Sequence, residues 1–208
     1  MAQPYRTFTS AVIPLPAENV DTDQIVPARY LKATDKEGLA DALFHDWRFT
    51  EDGRLKDPPF VMDRPEMAGR AILLAGDNFG AGSSREHAPW ALAVVGIRAI
   101  LSTGFADIFR SNALKNGLLP IVVEAERHRQ LFELVATDPS AELTVDLEAQ
   151  VVHLPGDEDL PFDVDAFARA MLLEGTDELG YLLGRTADIA AWEASHPARV
   201  DTRAGASA

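Results

Sequence analysis

Residues 70–95 read RAILLAGDNFGAGSSREHAPWALAVV, and this stretch decides the fold. Arg70–Ala75 is an apolar run of strand length. Gly76–Ser84 is a Gly-rich turn, and a helix follows to about Val95, with Pro89 near its start, where a missing N–H costs least. Downstream the alternation repeats. Ile97–Leu101 reads as a strand, Ala106–Lys115 as a helix closed by Asn116-Gly117, Leu118–Val123 as a strand and Glu126–Ala136 as a helix. A βαβαβα order implies a parallel sheet with crossover helices.

Upstream, Thr9–Leu15 reads as a strand ended by Pro14 and Pro16. Asn19–Asp23 is turn-forming, Thr34 caps a short helix reaching about Phe44, and Glu51–Pro65 is a long loop of a kind that is often functional. After Asp138 the pattern changes. Leu143–Leu147, Gln150–Leu154 and Pro161–Val164 read as short antiparallel strands, and Asp165–Leu173 and Ala187–Ser195 as helices. The reading is one mixed α/β domain over 1–208. It has a parallel βαβ core, two β layers and one helical layer, a helical C-terminal segment at about 165–196 and a frayed tail.

Composition narrows the function. The 208 residues are 47% hydrophobic and 25% charged, ordinary for a soluble domain. No run of 18 apolar residues and no signal-peptide pattern is present, so no membrane span is expected and the cytoplasm is the expected compartment. There is no cysteine, so a disulfide, a thiolate nucleophile or a Cys-ligated metal is excluded. The five histidines form no ligand pattern, and no metal site is expected in this chain. The net charge of −14 opposes nucleic acid as a partner. From Asp138 to Gly180 there are twelve acids against one Arg, so the acidity sits mostly in the C-terminal third, as a solvated surface or a docking face.

Three segments carry chemistry. In Gly76–His87 the glycines permit positive φ, Ser83 and Ser84 are placed at the helix start, where an anion is favoured, and Arg85 adds a planar fork suited to a carboxylate. A capped helix after a tight turn is the plain alternative. The segment is neither GxxxxGK[ST] nor GxGxxG, and no triad accompanies it. In Asn19–Lys32, Asp21 and Asp23 either form an Asx-turn or hold catalytic groups in place, and Leu31 is the apolar tip of a polar stretch. In Gly104–Pro120 the apolar spacing fits an amphipathic helix, with Asp107 and Arg110 as a surface pair.

Taken together, NVDTDQIVPARYLK (19–32), HDWRF (45–49), GDNFGAGSSREHAPWAL (76–92), GFADIFRSNALKNGLLP (104–120) and VDLEAQ (145–150) resemble the small-subunit family of bacterial 3-isopropylmalate dehydratases. That family corresponds to the swivelling domain of aconitase. The likeness runs from about Phe8 to Trp192. Many members carry Cys between the turn glycines, where this chain has Ala81. The resemblance implies a three-layer β/β/α swivelling domain and a heterodimer with a large subunit that holds a [4Fe-4S] cluster. The substrate it implies is a small dicarboxylic acid, with 2-isopropylmalate isomerised to 3-isopropylmalate in leucine synthesis. By position in the motifs it implies Ser83 as the base, Arg85 and Asp23 as its catalytic neighbours, and Ser84 and Gly82 at the substrate carboxylate. Tyr30 and Leu31 would lie against the alkyl branch. Small subunits of homoaconitase, citraconate (methylmalate) hydratase or dimethylmalate dehydratase would share the GSSRE block. A binding or regulatory module is the non-enzyme alternative, and a relic scaffold another.

Overall fold

The computed structural model describes residues 3–31, 38–156 and 158–196. The chain opens with strand β1 (Phe8–Leu15) and helix α1 (Thr22–Ile25). A 3-10 turn at Ala28–Tyr30, α2 (Leu39–Ala42), α3 (His45–Arg48) and two more 3-10 turns fill the way to β2 (Ile72–Ala75). Then come α4 (His87–Val94), β3 (Ala99–Ser102), α5 (Asp107–Lys115), β4 (Leu119–Val122) and α6 (Ala125–Thr137). The last part is β5 (Glu142–Asp146), β6 (Val151–Leu154), β7 (Glu158–Pro161), α7 (Ala166–Glu174), α8 (Glu178–Gly184) and α9 (Thr186–Ser195).

The strands lie in the order β4-β3-β2-β1-β5-β6-β7. The four on the β4 side are parallel, and β5, β6 and β7 are antiparallel additions. The mixed sheet with a parallel core is the architecture expected from sequence, and its two parts share β1. Phe8–Ala11 pairs with β5, and Val12–Leu15 pairs with β2. Proline cannot donate to a ladder, and both Pro120 and Pro161 fall on the edge strands β4 and β7.

The central strands are apolar on both faces because both faces are covered. Leu73 and Ala75 of β2 point into one core with Ile13, Ile100, Phe44, Leu92 and Phe109. Ile72 and Leu74 point into a second core with Leu101, Leu119, Leu131, Val145, Val152 and Leu160. The period of two along each strand divides the cores. On α6, His128, Leu131 and Val135 recur at helical spacing and are its buried face.

Three expectations change. The last strand is Glu158–Pro161, not Pro161–Val164: the turn at Gly156, with φ of 85°, closes a short hairpin that pairs Glu158 with Leu154 and Pro161 with Val151. Pairing with β6 outweighs the low strand propensity of the acidic residues. The C-terminal segment holds α8 as well as α9. No ion pair joins Asp107 to Arg110 among the described residues. The helix start placed at Thr34 lies outside the described residues, and α2 begins at Leu39.

Candidate functional site

The Gly-rich turn at 76–84 is built by hydrogen bonds from three directions. Its root is tied down by Ser102, which is fully buried and donates from Oγ to the Gly76 carbonyl at 2.7 Å. His128 Nε2 lies 2.7 Å from the Ala75 carbonyl, where a ring nitrogen can only donate. One flank runs against 19–22. The Asn19 N–H donates to Asp77 O (2.8 Å), Gly80 N–H to Val20 O (2.7 Å) and Thr22 N–H to Ala81 O (2.8 Å). The other flank meets 104–106: Phe79 N–H donates to Gly104 O (3.0 Å) and Ala106 N–H to Phe79 O (3.1 Å). The three chemistry-bearing segments therefore converge on one turn.

Three glycines are required there, and a Cβ on Gly76 would stand 2.4 Å from the Ala17 carbonyl oxygen. Gly80 has φ of 79°, and a Cβ on it would stand 2.2 Å from Phe109 Cγ. Gly82 has φ of 94°, a left-handed conformation that a side chain disfavours.

Ser83 and Ser84 are exposed, and α4 begins at His87, three residues beyond Ser84. The serines are thus not at the helix start, and the helix dipole is not what polarises them. The reason is local. Thr22, buried, donates from Oγ1 to the Ser83 carbonyl at 3.0 Å, holding that residue in the turn. The nearby charge comes from Arg85. Its guanidinium pairs with Asp23, and its other nitrogen, Nη2, stands 3.5 Å from Ser83 Oγ. Arg85 is largely covered, and Asp23 is half exposed.

The two readings of the Asp21–Asp23 turn are divided between its two acids. Asp21 is the N-cap of α1: its carboxylate accepts from Gln24 N–H at 2.8 Å, and Gln24 Oε1 accepts from Asp21 N–H at 2.9 Å. With that cap in place, Asp23 is left on the first turn facing Arg85. Thr22 and Ser102 were not singled out from sequence. A threonine between two aspartates and a serine ending a strand carry no distinctive spacing.

Tyr30 and Leu31 follow α1 through the 3-10 turn. Both are half buried and pack on the first core, so Leu31 is not an exposed tip. Tyr30 meets the His45 ring at 5.0 Å, and Arg29 lies over Tyr30 and pairs with Asp46. The Arg29 hydrogen bond holds the Asp46 carboxyl below its usual range. An open cavity of about 1020 Å³ runs along Arg29, Tyr30, His45, Phe49 and Lys56. Tyr30 lines it, whereas Leu31 and Ser83 do not, so this cavity does not join Tyr30 to the serine turn.

This arrangement provides an exposed hydroxyl beside a cation, with glycine backbone at hand. A guanidinium near an oxygen favours its ionised form, and a planar fork suits a carboxylate. Among the described residues, Ser83 and Ser84 stay exposed.

The family described as aconitase C-terminal domain matches residues 2–126, and that described as LeuD_N matches 129–166. The 3-isopropylmalate dehydratase small subunit of Chloroflexus aggregans is 54% identical over 200 residues, covering 96% of this chain and 98% of the relative. The protein of that name from Anaeromyxobacter dehalogenans strain 2CP-1 is 58% identical over 191 residues, covering 92% and 97%. A crystal structure of 3-isopropylmalate dehydratase from Methanocaldococcus jannaschii superposes with a TM-score of 0.64 at 26% identity, covering 89% of this chain and 98% of that one.

Proposed function

The chain belongs to the aconitase C-terminal domain family, among its 3-isopropylmalate dehydratase small subunits, and from this we propose that it is the half of a two-part hydro-lyase that carries the catalytic serine. The activity is isomerisation of 2-isopropylmalate to 3-isopropylmalate through 2-isopropylmaleate, in leucine synthesis, together with a large subunit. The observation that carries the serine assignment is the Asp23–Arg85 pair standing beside Ser83 Oγ on an exposed, tightly held turn.

In this reading Ser83, as its alkoxide, takes the carbon-bound proton of the malate. The electrons of that C–H bond form the double bond as hydroxyl leaves the adjacent carbon. Water then returns with the two carbons exchanged. A serine hydroxyl is a poor base at neutral pH, and the Arg85 guanidinium supplies the stabilisation that its alkoxide needs. Asp23 orients Arg85 and is a positioning residue. Gly82 and Ser84 offer backbone and hydroxyl donors to a substrate carboxylate. Tyr30 and Leu31 flank the alkyl branch.

The family implies a [4Fe-4S] cluster, and the residues of this chain do not fit it. Such clusters are held by cysteine thiolates, and none of the 208 residues is cysteine. Among the described residues no three His, Asp or Glu side chains gather into a metal-holding group. The cluster is assigned in this reading to the large subunit, where it would supply Lewis-acid chemistry. The net charge of −14 supports a reading without nucleic acid, and among the described residues no helix is long and apolar enough to cross a membrane.

The test is co-expression with the host's large subunit, anaerobic cluster reconstitution and a screen of C4-branched malates. Turnover of 3-isopropylmalate by the pair alone, with an inactive and iron-free isolated chain, is the expected result. Turnover or stoichiometric cluster in the isolated chain would overturn the two-part reading.

A further inference from the structure

The C-terminal helices α8 and α9 form an arm whose apolar side chains face solvent. Every residue from Leu182 to His196 is exposed. Leu183 keeps 65% of its surface and Trp192 61%, and Leu179, Leu182 and Ile189 are exposed as well. Among the described residues the arm meets the body at its base, where Tyr181 meets Phe167 edge-on at 4.9 Å and Lys115 pairs with Glu178 at 3.2 Å. At that base lies a cavity of about 350 Å³ lined by Tyr5, Leu114, Met171, Leu172 and Leu179. Leu179 belongs to both, so a convex apolar arm and a concave apolar cavity are continuous.

Helices of seven and ten residues are too short to be stable by backbone bonding alone. An exposed apolar face of this extent marks an interaction surface. Charge decides what covers it. The arm grows out of the acidic third of the chain, and along it Asp177, Glu178, Asp188 and Glu193 stand against Arg185. A second copy would bring the same negative surface against itself. A basic partner would find complementary charge around an apolar centre. Neither family match, which together end at residue 166, reaches the arm.

We propose that the α8–α9 arm and the cavity at its base are the docking surface for the large subunit, received by an apolar groove with a basic rim. The proposal rests on the two-part reading above. It also separates assembly from chemistry: the arm and cavity share no residue with the Ser83 turn.

The test uses the full chain with Leu183→Asp and Trp192→Asp together, beside wild type and Ser83→Ala. Binding to the large subunit is measured by calorimetry at two salt concentrations, and the isolated proteins are followed by thermal unfolding and sedimentation. The double variant is expected to unfold at the wild-type temperature and to bind at least about 30-fold more weakly, as for loss of central apolar anchors. Ser83→Ala is expected to bind like wild type, and wild-type affinity to fall as salt rises. Unchanged affinity in the double variant would overturn the proposal. So would a lowered unfolding temperature, which assigns the arm to internal packing, or a wild-type dimer that the double variant dissolves, which assigns it to a second copy. Failure of wild type to bind any large subunit would instead remove the functional reading on which the proposal stands.

Discussion

The serine turn and the C-terminal arm are both exposed, and they are exposed in opposite ways. The turn's polar side chains, Asp77, Asn78, Ser83 and Ser84, reach solvent while Phe79 anchors it in the core and its backbone is tied to three segments, with Ser102, Thr22 and His128 bonding its carbonyls or those next to it. The arm's backbone is satisfied within its own helices while its apolar side chains are left uncovered. A surface that must present one hydroxyl accurately is rigid beneath. A surface that must be covered can await its partner. The contrast teaches that exposure alone does not distinguish chemistry from assembly, whereas the destination of the backbone bonds does.

The sharpest way to break this contrast is at Ser83. Ser83→Ala in the assembled enzyme is expected to cut kcat by about 10²–10⁴-fold with no change in thermal unfolding of the isolated chain. Near-wild-type turnover would make the turn structural only. Next comes the support beneath it. Gly80→Ala would place a methyl against Phe109 in a left-handed backbone, and a loss of about 2–4 kcal/mol is expected from overpacking and the positive φ together. Urea unfolding measures it, and a loss below about 0.5 kcal/mol would mean that the turn is softer than described.

A smaller effect concerns specificity. Leu31→Ala should weaken selection for the isopropyl branch by about 1–3 kcal/mol in relative kcat/KM, and Leu31→Arg should partly admit acids with a third carboxylate. Unchanged ratios for both would move specificity to the large subunit. The smallest effect is expected on the acidic face, where His153 and Asp159 form an exposed pair. Asp159→Asn should shift stability by less than about 0.5 kcal/mol, since exposed pairs contribute little.

Much of the fold was legible because its signals are local. The apolar run at 72–75, the glycines after it and the helical period of α5 and α6 each lie within one window of sequence. What was not legible depends on distant residues. Asp23 and Arg85 are 62 positions apart, and only the family resemblance joined them. Ser83 and Ser84 read as lying at the helix start because serine commonly stands just before a helix. The Ser83 carbonyl is instead engaged by Thr22, and the helix waits until His87. Helix α8 was not read from sequence, and its two glycines, Gly180 and Gly184, are poor helix formers. Asp177 caps it by accepting from Gly180 N–H at 2.7 Å, a bond that spacing alone does not reveal.

The sharing of β1 between the two parts of the sheet has a consequence for how the chain is made. β1 is the first strand to be synthesised, yet one of its neighbours is among the later ones. Thr9 and Thr144, 135 positions apart, share a hydroxyl hydrogen bond of 2.7 Å. Once β2 to β4 have emerged, the parallel part can assemble, but the outer edge of β1 stays bare until β5 is translated. At roughly 5–20 residues per second this interval lasts about 1–5 seconds, during which an unpaired strand edge is open to wrong partners. A ribosome stalled between α6 and β5 would therefore display the most aggregation-prone form of this protein, with the serine turn already assembled beside it.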